Sequence, residues 1–145
     1  MSQTIINILS QFPYLIDINA FSQILEMDDE GDREFSSSIC SNWTEQVEAG
    51  FAELEQAIHS AEFDKISSYA HRLHGISEPL GVIKVINTFK DLQQLGERED
   101  PTGGGKLDDE TALQKAADLL QKGKVDYKET AALIEQALGV DTESG

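Results

Sequence analysis

The apolar residues of this 145-residue chain recur at steps of three and four, and over no useful length do they alternate with period two. That spacing favours helices and leaves strands no foothold, since no Asn-Gly or Asp-Gly pair sits between β-branched runs either. Pro13, the Gly31 region, the stretch from Pro79 to Gly81, and ERED-PTGGGK from Glu97 to Lys106 are the only strong breaks. The spacing predicts a helix from Ile18 to Met27, capped by Asp17, with Phe21, Ile24 and Leu25 on one face. A long helix follows from Asp32 to His59, with Phe35, Ile39, Trp43, Val47, Phe51, Leu54 and Ile58 as its stripe. The next begins at Glu62, buries Phe63, Ile66, Ala70 and Leu73, and runs to the Pro79 break. Another spans Val82 to Leu95, with Val82, Val85 or Ile86, Phe89 and Leu92 inside, and stops at Gly96. After the glycine run, Leu113, Ala117, Leu120, Lys124, Tyr127, Ala131, Ile134 and Leu138 mark one helix from Asp109 to Leu138. Gly123 lies inside that series without shifting its phase, at a cost of about 1 kcal/mol against alanine. The expected class is all-α, an up-and-down four-helix bundle with an additional short N-terminal helix. Residues 1–16 read as an extension, 17–139 as the bundle with a flexible loop at 97–108, and 140–145 as a tail.

Charge narrows the function classes. With 27 acidic and 11 basic side chains the net charge is −16, so nucleic acid and the anionic face of a membrane are not expected partners. No apolar run approaches the roughly 20 residues that span a bilayer, and the start, MSQTIINILSQFPY, lacks the basic flank of a signal peptide. Cys40 is the single cysteine, which suits a reducing cytosol or nucleus. With no basic neighbour to activate it, its expected role is packing.

One histidine stands apart. At about 100° per residue, His71 points roughly 140° away from the apolar sector of Phe63, Ile66, Ala70, Leu73 and Ser77, toward solvent. Gly75 lies one turn above it and Ser67 and Ser68 one turn below, so the surface around the imidazole carries little bulk. Close approach by another molecule is one reason for such a glycine; the other is that the helix begins to unwind there ahead of Pro79. From Glu62 to Gly96 four acidic residues balance four basic ones, so the whole −16 lies elsewhere and the His71 patch is neutral. A carboxylate-rich partner meets least repulsion on this face.

The string YAHRLHGISEPLG, from Tyr69 to Gly81, resembles the active-site signature of histidine-containing phosphotransfer (HPt) proteins, roughly H-x-L-K-G-S-S-x-x-L-G. His71, Leu73, Gly75, Ser77, Leu80 and Gly81 stand at matching positions. ILEMDDEGDREFSSSI from Ile24, DLQQLG from Asp91 and DYKETAALIEQALG from Asp126 are similar to the fungal phosphorelay intermediates, so the likeness runs from about Asp17 to Gly139. His74 stands where the family usually has lysine, Ile76 where it usually has the first serine, and Pro79 is unusual in that turn. The resemblance implies a phosphoryl carrier that takes its group from a receiver aspartate of a hybrid histidine kinase and passes it to a response-regulator aspartate. It implies His71 as the phosphorylated residue, with His74, Gly75 and Gln93 beside it. His74 would neutralise phosphate oxygens only when protonated. It further implies a receiver-docking surface at Ala20, Ile24, Met27, Ile39, Asn42, Gln46, Arg72 and Ile76. Ile24 and Ile39 also belong to the core stripes, so burial is the competing reading for each. The expected state is a monomer in cytoplasm and nucleus, with no bound cofactor, Mg²⁺ coming from the receiver, and no kinase or phosphatase activity of its own.

Other patterns lead nowhere comparable. PTGGGK has the wrong glycine spacing for a nucleotide cradle and no Ser or Thr after Lys106. His71 and His74 make a weak metal pair without a third ligand, and the acidic run from Glu26 to Glu34 lacks calcium-loop spacing. The alternative function is an acidic helical adaptor that binds a partner without carrying phosphate.

Overall fold

A computed structural model describes residues 2–29 and 32–144, with the side chains of residue 2 and of 140–144 left aside. In chain order the helices are α1 (Ser2–Leu9), α2 (Ile18–Glu26), α3 (Glu34–His59), α4 (Phe63–Ser77), α5 (Ile83–Gly96) and α6 (Asp109–Ser144). A 3₁₀ turn, Glu78–Leu80, joins α4 to the α5 corner. Among the described residues there is no strand, only isolated bridges between Ile16 and Val82 and between Glu99 and Lys106. Helices α3 to α6 form the bundle, α4 packing on α3 and α5, and α6 closing it against α3 and α5. Its centre is aromatic: the ring centroids of Phe51 lie 5.8 Å from Phe89 and 5.5 Å from Tyr127, and Trp43 lies 5.3 Å from Tyr127.

The helices begin and end close to where the periodicity puts them, except that α6 continues past Leu138 to Ser144, through residues expected as a tail. Asp17 caps α2 by accepting from Asn19 N–H at 3.0 Å, and Phe21, Ile24 and Leu25 are buried. The stripes, however, turn at two places. In α3, Phe35 is 40% exposed and Ile39 and Ile58 are half-buried, while Ser36, Cys40 and Ala57 take the inward positions. The cause is Asp28, whose carboxylate accepts from Ser36 N–H at 2.8 Å and from Ser36 Oγ at 2.7 Å, drawing Ser36 inward at the first turn. Asp28 therefore does more than belong to a solvated acidic turn; Glu30 and Gly31 of that run lie outside the described residues. In α6 the buried line runs through Ala112, Ala116, Leu120, Tyr127 and Thr130, with Leu113 and Ala117 flanking it. Lys124 leaves the expected stripe to meet Glu55 at 2.8 Å. A Cβ on Gly123 would come 2.6 Å from Thr88 Cγ2, so that glycine lets α6 approach α5 closely.

Two segments hold more structure than the sequence suggests. Residues 2–9, within the expected extension, form α1, whose Ile5 and Leu9 are fully buried as the helix packs on α6. The 97–108 segment, expected as a flexible loop, closes through Asp100 N–H to Gly105 O and Leu107 N–H to Arg98 O, both at 2.8 Å. Arg98 pins it down, with its guanidinium 4.0 Å from the centre of the Phe63 ring and 2.7 Å from Asp109.

Candidate functional site

Helices α4 and α5 run antiparallel, and their register is set where backbone meets backbone. A Cβ on Gly96 would fall 2.5 Å from Ser67 N, so only glycine permits that approach. One turn along each helix from this contact lie His71 on α4 and Gln93 on α5. They meet there, Nδ1 of His71 standing 3.4 Å from Oε1 of Gln93. An amide oxygen can only accept, so the contact calls for the proton on Nδ1 and leaves the Nε2 lone pair free on an exposed ring. Gly75, also exposed, has nothing within 4 Å of where a Cβ would stand. Helix α4 continues through Gly75 to Ser77, so unwinding does not begin at the glycine. The surface beside His71 is open.

The remaining motif positions point inward. Leu73, Ser77 and Leu80 are buried, and Ser77 Oγ accepts from Trp43 Nε1–H at 2.9 Å. Pro79 falls in the first positions of the 3₁₀ turn, where a missing N–H is tolerated. Gly81 follows at φ 66°, and a Cβ there would stand 2.7 Å from Asp17 O, so both the turn and the packing demand glycine. Its carbonyl accepts from Asp17 N–H at 2.7 Å, and Ile83 N–H donates to Leu15 O at 2.9 Å. These bonds tie the start of α2 to the α4–α5 corner.

His74 is half-buried, and its Nε2 pairs with the carboxylate of Glu78, four residues on at the start of the 3₁₀ turn. Arg72 pairs with Glu53 at 2.7 Å and lies 5.4 Å over the Tyr69 ring. Of the expected docking residues, Ile24 is in the core, 7% exposed, which is where its place in the apolar stripe puts it. Met27 is 67% exposed and Asn42 is exposed, while Ala20, Ile39, Gln46 and Ile76 are half-buried. Phe35, exposed near the start of α3, is an apolar surface residue that the stripe argument assigned to the core. The capping potential of Asp28, eight residues before Ser36, was the available signal.

A cavity of about 600 Å³ lies elsewhere, between α3 and the C-terminal half of α6, lined by Cys40, Trp43, Tyr127 and Ile134 among others and by nothing from α4 or α5. Burial, aided by Asp28, pushes the Cys40 thiol up to about 12, so the sulfur there is an inert thiol. Burial and a hydrogen bond to Glu48 at 2.7 Å likewise hold the Tyr127 hydroxyl in its protonated form.

Over 114 residues, 79% of its length, the chain is 39% identical to multistep phosphorelay regulator 1 of Schizosaccharomyces pombe, matching 38% of that protein. It is 33% identical over 84 residues to the phosphorelay intermediate protein YPD1 of Candida albicans, which is 58% of this chain and 45% of the relative. The chain thus spans less than half the length of the curated relatives it matches. No protein-family model matches the chain. The likeness read from the Tyr69–Gly81 string is matched by these relatives, which are fungal HPt-type proteins.

Proposed function

We propose that this chain, similar to fungal phosphorelay proteins over most of its length, is a phosphoryl carrier that works through His71. The observation that carries the proposal is the exposed imidazole whose Nδ1 is turned to Gln93, on a surface that Gly75, one turn away, leaves without side-chain bulk. The Nε2 lone pair attacks the phosphorus of a receiver aspartyl phosphate. The bond from phosphorus to the carboxylate oxygen breaks, and its electron pair leaves with the aspartate. The ring gains positive charge, which the Nδ1–H shares with the Gln93 oxygen. Reversal onto a second aspartate completes the relay. Because the transition state is loose, little beyond positioning and charge compensation is required, and the receiver's Mg²⁺ supplies part of the latter. The partners in this reading are the receiver domains of a hybrid histidine kinase and of response regulators, approaching the neutral face of an acidic protein as a monomer. Among the described residues no helix is long and apolar enough to cross a membrane. A lone cysteine suits the cytoplasm and nucleus as the compartments for this relay.

The test is transfer from a receiver domain carrying labelled phosphate on its aspartate. The expected product is acid-labile, base-stable label on this chain, present in the parent and missing from His71→Gln. A chain that binds the receiver firmly and takes no label is an adaptor instead.

A further inference from the structure

The four basic side chains between Glu62 and Gly96 are not equivalent. Lys65 meets Glu62 at 2.6 Å, Arg72 meets Glu53 at 2.7 Å, and Lys84 lies 3.9 Å from Glu129 and 4.0 Å from Asp126. Lys90 is exposed and, alone of the four among the described residues, makes no ion pair.

Its position gives it a task. Lys90 precedes Gln93 by three residues on α5, and residues so spaced are neighbours on one helix face, with Cβ atoms about 5–6 Å apart. Antiparallel packing, set by the Gly96–Ser67 approach and the Gln93–His71 contact, brings the Lys90 turn level with His74 and Gly75 on α4. Gly75 contributes no side chain there, so nothing of its own fills the gap toward the imidazole. The other cations of the patch are held by carboxylates, and His74 is held by Glu78. Glu97 lies one turn beyond Gln93 in the opposite direction, so the open side of α5 carries its positive charge on the Lys90 side of the imidazole.

Building on the carrier reading, we propose that Lys90 is a phosphoryl-binding residue: its ammonium group neutralises the oxygens of the phosphoryl group on His71 Nε2, a task that His74 does not perform. The charge comes from the neighbouring helix. An exposed pair of this kind supports an effect of about threefold to fivefold on rate or lifetime.

The experiment uses phosphoramidate, a small donor that needs no receiver, to phosphorylate the full chain, followed by ³¹P NMR titration and decay of the phosphohistidine. Lys90→Gln is expected to raise the pH at which the phosphoryl dianion takes up a proton and to shorten the phosphohistidine lifetime about threefold. Lys90→Arg should restore both, and Lys84→Gln should change neither. A phosphoryl titration in Lys90→Gln that superimposes on the parent, or that moves instead in His74→Gln, overturns the role of Lys90 and leaves the carrier reading standing. A parent that takes no label on His71 from phosphoramidate or from a phosphorylated receiver overturns both.

Discussion

The two faces of α4 carry one sequence signature and do different work. Ile66, Ala70, Leu73 and Ser77 face inward, where Leu73 fills the space left by Gly50 on α3 and Ser77 satisfies the Trp43 indole. His71, Arg72 and Gly75 face outward and contribute little packing. Half of the resemblance to HPt proteins is therefore a statement about how α4 sits in a bundle, and only the other half concerns chemistry. The faces should separate experimentally, one in stability and one in transfer.

The sharpest break is His71→Gln. Phosphate acceptance is expected to vanish while urea denaturation shows a change within about 0.5 kcal/mol, as for an exposed substitution. Retained label would mean that the outward face has been assigned to the wrong residue. Gly75→Gln comes next: transfer from a receiver should be blocked by bulk, whereas phosphoramidate should still label His71. The helix should gain up to about 1 kcal/mol from losing the glycine. Equal loss with both donors would show that the glycine does more than clear the approach.

Inward changes should show the opposite pattern. Leu73→Ala removes a fully buried side chain, with an expected cost of about 2–5 kcal/mol in chemical denaturation and unchanged labelling of whatever fraction remains folded. Ser77→Ala leaves Trp43 Nε1–H buried without its acceptor, at about 1–3 kcal/mol. An inward variant that keeps full stability but cannot be labelled would blur the division. The smallest effect is predicted for His74→Lys. Lysine keeps a partner in Glu78 four residues on, so stability should move by no more than about 0.5 kcal/mol and transfer should stay close to the parent. A clear gain in transfer would return the phosphate-binding role to that position.

Part of the site could be read without a structure, because a helix turns each residue through a known angle. His71 points outward and Gly75 flanks it on that ground alone, whereas Gln93 beside the imidazole was implied only by the resemblance and is brought there by the packing of α5 on α4. Ile24 shows the limit of transferring a docking surface by likeness, since its own periodicity already placed it inside. His74 shows another: spacing brings it near His71, yet the neighbour its ring meets, Glu78, lies on the next turn.

The amino-acid sequence by itself determined the helical class, the breaks between helices, and the outward histidine, because each depends on interactions within a turn or two of one helix. Tertiary structure decided what those local rules leave open. Eight residues at the N-terminus are too few to hold a helix in water alone, and α1 exists because Ile5 and Leu9 find a surface on α6. The phase of α3 at its start was settled by Asp28 reaching across from the preceding turn. Close helix approach at Gly96 and Gly123 set how α4 and α6 lie against α5. That register determined which side chains surround His71, since neighbours on separate helices are chosen by packing in three dimensions, which no local period encodes.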